Sequence, residues 1–247
     1  MKKLFILFLL TAATIQSQAQ EVDFKLNVPL NEAMRAVTTM KMDIDGEQPM
    51  IMDIVTKSTI TTTAHEGSNY TFANVTDAVK MDMDAGMMTM SWDSENPSDD
   101  PMSAMLGSQM ENLIGQTITI VTSDKGKLIS TSADDEENSM NSGFENLAMT
   151  ATYPDKPVKP GDSWDTESTA NGMTTKATNT FIGSNDQGHE LETSGELFDD
   201  EDNKVGTITG TYTIDPETHY TKIATLKMEL EVEGQKIVSD VQLTVEK

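Results

Sequence analysis

Apolar and polar residues alternate with period two through most of this chain. The segments Met34–Ile44, Met50–Thr63, Tyr70–Met83, Thr117–Val121, Thr174–Ile182, Glu190–Phe198, Val205–Ile214, Thr221–Val232 and Ile237–Val245 are also rich in Thr, Val and Ile. That combination predicts strands with one buried face. Between them stand Asp45-Gly46, Asp84-Ala85-Gly86, Asp124-Lys125-Gly126, Asn185–Gly188, Asp199–Asn203 and Glu233-Gly234, where Asp, Asn and Gly tolerate the angles of tight reversals. Long strands joined by hairpins predict a mainly β fold: a long antiparallel meander forming a curved sheet or an open half barrel, more than a sandwich of short strands.

Two stretches break the alternation. From Pro101, the residues Met102, Met105, Leu106, Met110, Leu113 and Ile114 recur at intervals of three and four, with Gly115 as a stop. Met140 to Met149 places Phe144, Leu147 and Ala148 on one side. Both predict short helices covering one face of the sheet. A faint duplication pairs Gly115–Asp124 and Lys127-Leu128-Ile129 with Gly210–Asp215 and Lys222-Ile223-Ala224. Two pseudo-repeated halves, 20–152 and 161–247 joined across 153–160, compete with a chance match in Thr-rich sequence.

The first 19 residues change the picture of where the protein works. Lys2-Lys3, the apolar run Leu4–Leu10 and the small and polar end Ser17-Gln18-Ala19 are the parts of a secretory signal peptide, too short to span a membrane. Residues 1–19 are thus expected to be removed, leaving 20–247 as a single β-rich domain. The full chain carries a formal charge of −24. Nucleic acid and anionic lipid surfaces are recognised through clustered Lys and Arg, so neither is an expected partner. There is no cysteine, which removes disulfides, thiol catalysis and thiolate metal sites. It also removes the acylated cysteine of a bacterial lipoprotein, so the expected location is periplasmic or secreted, with no transmembrane segment in the mature chain. At 5% aromatics, the girdles of an outer-membrane barrel are also lacking.

The stretch Tyr153-Pro154-Asp155-Lys156-Pro157-Val158-Lys159-Pro160-Gly161-Asp162-Ser163-Trp164 resembles a Pro-Lys-Pro-Val-x-x-Gly-Asp-Ser-Trp segment of an uncharacterised domain family of exported Bacteroidetes envelope proteins. The leader's Gln-Ser-Gln-Ala-Gln ending is similar to that group. The resemblance implies an envelope protein of unknown role, with a curved sheet similar to that of periplasmic lipoprotein carriers, and it brings no catalytic residues. Physically, the prolines fix an extended approach, Gly161-Asp162 turns, and Trp164 starts the next strand as a large apolar plug. Trp164 reads either as a buried corner or as the closure of a ligand groove.

Methionine is the chemistry that stands out. Of 18 methionines, 13 lie between Met34 and Met110, with Met-x-Met pairs at Met40/Met42, Met50/Met52, Met81/Met83 and Met88/Met90. In strands, both members of a pair face the same side. A flexible, polarisable thioether lining adapts to differently shaped apolar ligands. These eight methionines, the helix positions Leu106 and Leu113, and Trp164 are therefore the candidate ligand-binding residues. Two other readings stand beside this one: methionines that merely fill the core of a structural or interaction protein, and a soft-metal site for Cu(I). The acidic turn Asp199–Asn203 offers oxygens to Ca²⁺ without the spacing of an EF-hand. His65, His189 and His219 sit in or beside predicted turns, outside any catalytic frame. No enzyme, cofactor or assigned metal is expected. The sequence thus points to a non-catalytic carrier for a lipid or other apolar ligand.

Overall fold

The computed structural model describes residues 21–133, 149, 151–170, 172–232 and 234–247. Among these residues, twelve strands and one α-helix follow each other as β1 (Ala33–Asp45), β2 (Met50–Glu66), β3 (Asn69–Asp84), β4 (Thr89–Asp93), α1 (Pro101–Met110), β5 (Thr117–Ser123), β6 (Leu128–Ala133), β7 (Ser163–Ala170), β8 (Met173–Asn185), β9 (Gly188–Phe198), β10 (Lys204–Ile214), β11 (Thr221–Val232) and β12 (Gln235–Glu246). They form one antiparallel sheet in the order β6-β5-β3-β2-β1-β12-β11-β10-β9-β8-β7, and β4 pairs with β3 off this path. The sheet is nearly closed into a barrel.

The two meanders meet in the middle of the sheet, where Arg35 to Asp45 of β1 register with Glu246 to Lys236 of β12. Alternation decides which face is inside. On β1, Met34, Ala36, Thr38 and Met40 are buried while Arg35, Val37, Thr39 and Lys41 are exposed; on β12, Ser239, Val241, Leu243 and Val245 are buried while Asp240, Gln242, Thr244 and Glu246 are exposed. The core therefore lies on the concave side. Three concave positions, Gly195, Gly206 and Gly210, carry no side chain; a Cβ at Gly210 would stand 2.5 Å from Leu226 Cδ2, so glycine lets that leucine fold over the neighbouring strand.

One end of the near-barrel is sealed. The segment Glu21–Val28 alternates strictly, with Val22, Phe24, Leu26 and Val28 buried and the residues between them exposed. It crosses the hairpin ends instead of joining the sheet. Val22 pairs with Val158 just before β7, Leu26 N–H donates to Asp124 at the β5–β6 turn, and Asn27 N–H donates to Thr218 at the β10–β11 turn. This strap ties together the two edges of the sheet. Phe24, fully buried, stacks on Tyr153 with ring centroids 5.1 Å apart and meets Phe181 edge-on at 5.2 Å. Tyr153 donates to the His219 carbonyl at 2.6 Å, and burial pushes its phenol well above the ordinary tyrosine range.

The first expected helix is shorter than its apolar spacing predicts. A single α-helix is present among the described residues. Asp100 caps it, accepting from Met102 N–H and Ser103 N–H at 3.0 Å, and Pro101 occupies its first turn. It ends at Met110, because Glu111–Leu113 tighten into a 3-10 turn and Gly115 adopts φ 77°. The expected second helix, Met140–Met149, lies outside the described residues except for Met149, which is buried.

Candidate functional site

Register turns the methionine pairs into rows. Directly opposed side chains on neighbouring strands have Cβ atoms about 4.5–5.5 Å apart. One concave row runs Met90–Met83–Met52–Met42 across β4, β3, β2 and β1. It continues through Ser239, Met228 and Ile208 on β12, β11 and β10, then through Gly195, Ala177 and Thr166. The adjacent row runs Trp92–Met81–Ile54–Met40 and then Val241, Leu226, Gly210, Thr193, Asn179 and Trp164. A tryptophan stands at each end of that second row.

The two rows differ in exposure. Met40, Met81 and Trp92 are 7%, 8% and 5% exposed and belong to the core. Met42, Met52, Met83 and Met90 are all half-buried, although they face the concave side. These four form a continuous thioether surface, away from the end that the strap seals.

The remaining expected residues separate into three groups. Met50 is half-buried opposite Ile44, one step beyond the row. Met88 lies in the β3–β4 turn and is 49% exposed, so it stands outside the row its partner Met90 begins. Leu106 is buried on α1 beside Gly107, whose Cα approaches the Trp92 indole so closely that a Cβ would lie 2.5 Å from Nε1. Leu113 is half-buried in the 3-10 turn. Trp164 is half-buried and donates from Nε1 to the Thr152 carbonyl at 2.9 Å, at the far edge of the sheet from the methionine row.

Where β4 meets the start of α1, a hollow of about 530 Å³ is lined by Met83, Met90 and Trp92 together with Asp53, Asp82, Asp84, Asp93 and Asp100. Its size suits a small molecule, but its walls are mixed in character. Ser91 donates to Asp82 at 2.6 Å and Lys80 pairs with it at 3.2 Å, contacts that hold its carboxyl below the usual carboxylate range despite partial burial. Asn96 and the Glu95 N–H do the same for Asp93. Both groups are therefore anionic at neutral pH. A second hollow, about 830 Å³, crosses β7 to β10 between the rows Asp165–Thr178–Ser194–Thr209 and Glu167–Lys176–Glu196–Thr207, and its polar flanks offer little to an apolar ligand.

Among the described residues, no three His, Asp or Glu are grouped to hold a metal ion, so the acidic turn Asp199–Asn203 forms no such cluster. Its Asp199 instead caps the turn, accepting from the N–H groups of Glu201 and Asn203 at 3.0 and 2.8 Å. Ser239 and Met228, which join the methionine row to the opposite half of the sheet, escape notice in the sequence because each is an isolated inward position on an ordinary strand. No helix among the described residues is long and apolar enough to cross a membrane.

Comparison with known proteins gives a family-model match to part of the chain and some weak structural likenesses. No curated protein matches the chain. The chain is similar to a lipovitellin chain solved in a study of lipid–protein interactions, at 11% identity over 87% of this chain and 25% of that one, with a TM-score of 0.49. It thus spans about a quarter of that chain's length. A DUF1329 family protein from Desulfovibrio piger shares 11% identity over 87% of this chain and 85% of its own, with a TM-score of 0.33. A domain from Vibrio parahaemolyticus, described as an outer membrane lipoprotein-sorting protein domain, shares 10% over 86% and 83%, with a TM-score of 0.29. At scores this low, the likeness carries no inference about a ligand. Residues 131–239, which include the Pro154–Trp164 segment, match a family of unknown function, DUF6263.

Proposed function

We propose that this chain is an exported, non-catalytic carrier that holds a lipid or other apolar molecule against the concave surface of Met42, Met52, Met83 and Met90. One observation carries the reading: four large apolar side chains, in register on neighbouring strands, face the inside of a near-barrel and yet stay half-exposed. An ordinary core covers such side chains completely, as this one covers Met40 and Met81. A continuous apolar surface left accessible at one end, with the other end tied shut, suits a ligand that brings its own apolar area. Methionine suits this role because its unbranched chain repacks around different shapes.

The test uses the delipidated full chain and a dye that fluoresces in apolar surroundings. Dye fluorescence should rise on mixing and fall when envelope phospholipid or fatty acid is added. Met52→Glu, which places a charge in the middle of the row, should abolish the rise, while Thr207→Glu on the outer face should leave it intact. Silence of the wild-type protein, or equal signal from Met52→Glu, would return the row to the role of a loosely packed core.

A further inference from the structure

We infer that the same row is a thioether site for a soft monovalent cation, Cu(I) or its redox-inert analogue Ag(I). Apolar burial alone explains why these positions are hydrophobic, but leucine, isoleucine or valine would serve as well. It does not explain why four successive strands each place methionine at the same register position, Met42, Met52, Met83 and Met90. Thioether sulfur is a soft ligand that selects Cu(I) over hard cations.

Geometry permits convergence. Neighbouring strands lie about 4.7–4.9 Å apart, so the flanking residues Met42 and Met83 stand about two strand spacings from each other with Met52 between them. A methionine side chain is long and flexible enough for three such sulfurs to lean onto one ion. The fourth, Met90, lies opposite Met83 and can take the place of Met42 in a set of three neighbouring ligands, Met52, Met83 and Met90. All four are half-exposed, so an ion has a way in.

Asp53, Asp82 and Asp84 alternate with the methionines along β2 and β3 and so lie on the outer face of the sheet, which leaves thioether sulfur as the ligand that the concave row itself offers. The sulfurs thus select a soft cation over a hard one. This inference does not depend on the apolar-ligand reading, since replacing methionine by leucine removes sulfur while keeping the surface apolar.

The experiment titrates the delipidated full chain, under anaerobic conditions, against the coloured Cu(I)–bicinchoninate complex. The protein should withdraw about one equivalent of Cu(I). Met52→Leu/Met83→Leu should weaken this at least tenfold while still binding the apolar dye, whereas Met105→Leu on α1 should change nothing. A second readout needs no variant: with methionine ε-methyl groups labelled for NMR, Ag(I) should shift the signals of Met42, Met52, Met83 and Met90 and leave Met105 and Met173 in place. An unchanged chelator colour, undiminished binding in the double variant, or shifts confined to other methionines would overturn the inference.

Discussion

Replacing Phe24 by alanine removes the ring on which the sealed end of the near-barrel converges. The ring is fully buried and touches four others: Tyr153 stacked at 5.1 Å, Phe181 and His189 edge-on at 5.2 and 5.3 Å, and His219 tilted at 5.5 Å. Phe→Ala in a core costs about 3–5 kcal/mol, from lost transfer energy and the cavity left behind. Aromatic contacts of this geometry add about 0.5–1.5 kcal/mol per pair, which places the loss toward the top of that range. Against a typical domain stability of about 5–15 kcal/mol, such a loss is large. Urea unfolding, followed by tryptophan fluorescence and circular dichroism, measures it directly. Phe24→Leu keeps most of the apolar volume and should lose less. Amide exchange should also quicken at Leu26 and Asn27, whose N–H groups bond to Asp124 and Thr218 across the hairpin ends. If Phe24→Ala unfolds within about 1 kcal/mol of the wild type, the strap is a surface decoration and the sealed end is held by other contacts.

Three further expectations follow from individual contacts. Gly107→Ala adds about 0.8–1 kcal/mol of helix propensity, but its Cβ would press on the Trp92 indole, so thermal unfolding should show a net loss of about 1–3 kcal/mol; a gain would mean α1 is not seated on Trp92. Ser239 is 1% exposed and its hydroxyl has no hydrogen-bond partner, so Ser239→Ala should raise stability by about 1 kcal/mol, and a loss in denaturant unfolding would point to a partner. His189 has a pKa below 6.5, lowered by burial and by the nearby His219, against an opposing pull from Asp215. A group whose folded pKa is depressed favours the folded state above its unfolded pKa and loses that contribution as pH falls through the folded value. Wild-type stability should therefore decline more steeply below about pH 6.5 than that of His189→Gln, and parallel pH profiles would refute the assignment.

The sheet was largely legible because period-two alternation reports directly on a two-faced strand. The long segments from Met34 to Ile44 and from Thr221 to Val232 fall within about a residue of β1 and β11. Short β4, Thr89–Asp93, was not: five residues with one β-branched side chain give too little alternation to separate strand from turn. The strap is not legible as such, although Glu21-Val22-Asp23-Phe24-Lys25-Leu26-Asn27-Val28 alternates as cleanly as any strand. Its place at the head of the expected mature chain, and its lack of a hairpin partner, hid a segment that packs across turns. For the methionines, alternation correctly assigns Met40/Met42, Met52 and Met81/Met83 to the concave side, but burial separates Met40 and Met81 from the exposed row. That separation depends on which strands are neighbours and in what register, a non-local fact that local pattern does not carry. The tryptophans illustrate the same point, since Trp92 on β4 and Trp164 on β7 share a row only through the register of the eight strands that lie between them in the sheet.

The most direct test of the carrier is a lipid bearing a photoreactive group in its acyl chain, bound to the delipidated full protein, irradiated, and mapped by peptide mass spectrometry. Crosslinks concentrated on the β1–β4 peptides that hold Met42, Met52, Met83 and Met90 are the predicted result. Crosslinks spread over the outer faces of β7 to β10, or none above the level of an unrelated acidic protein, would contradict it.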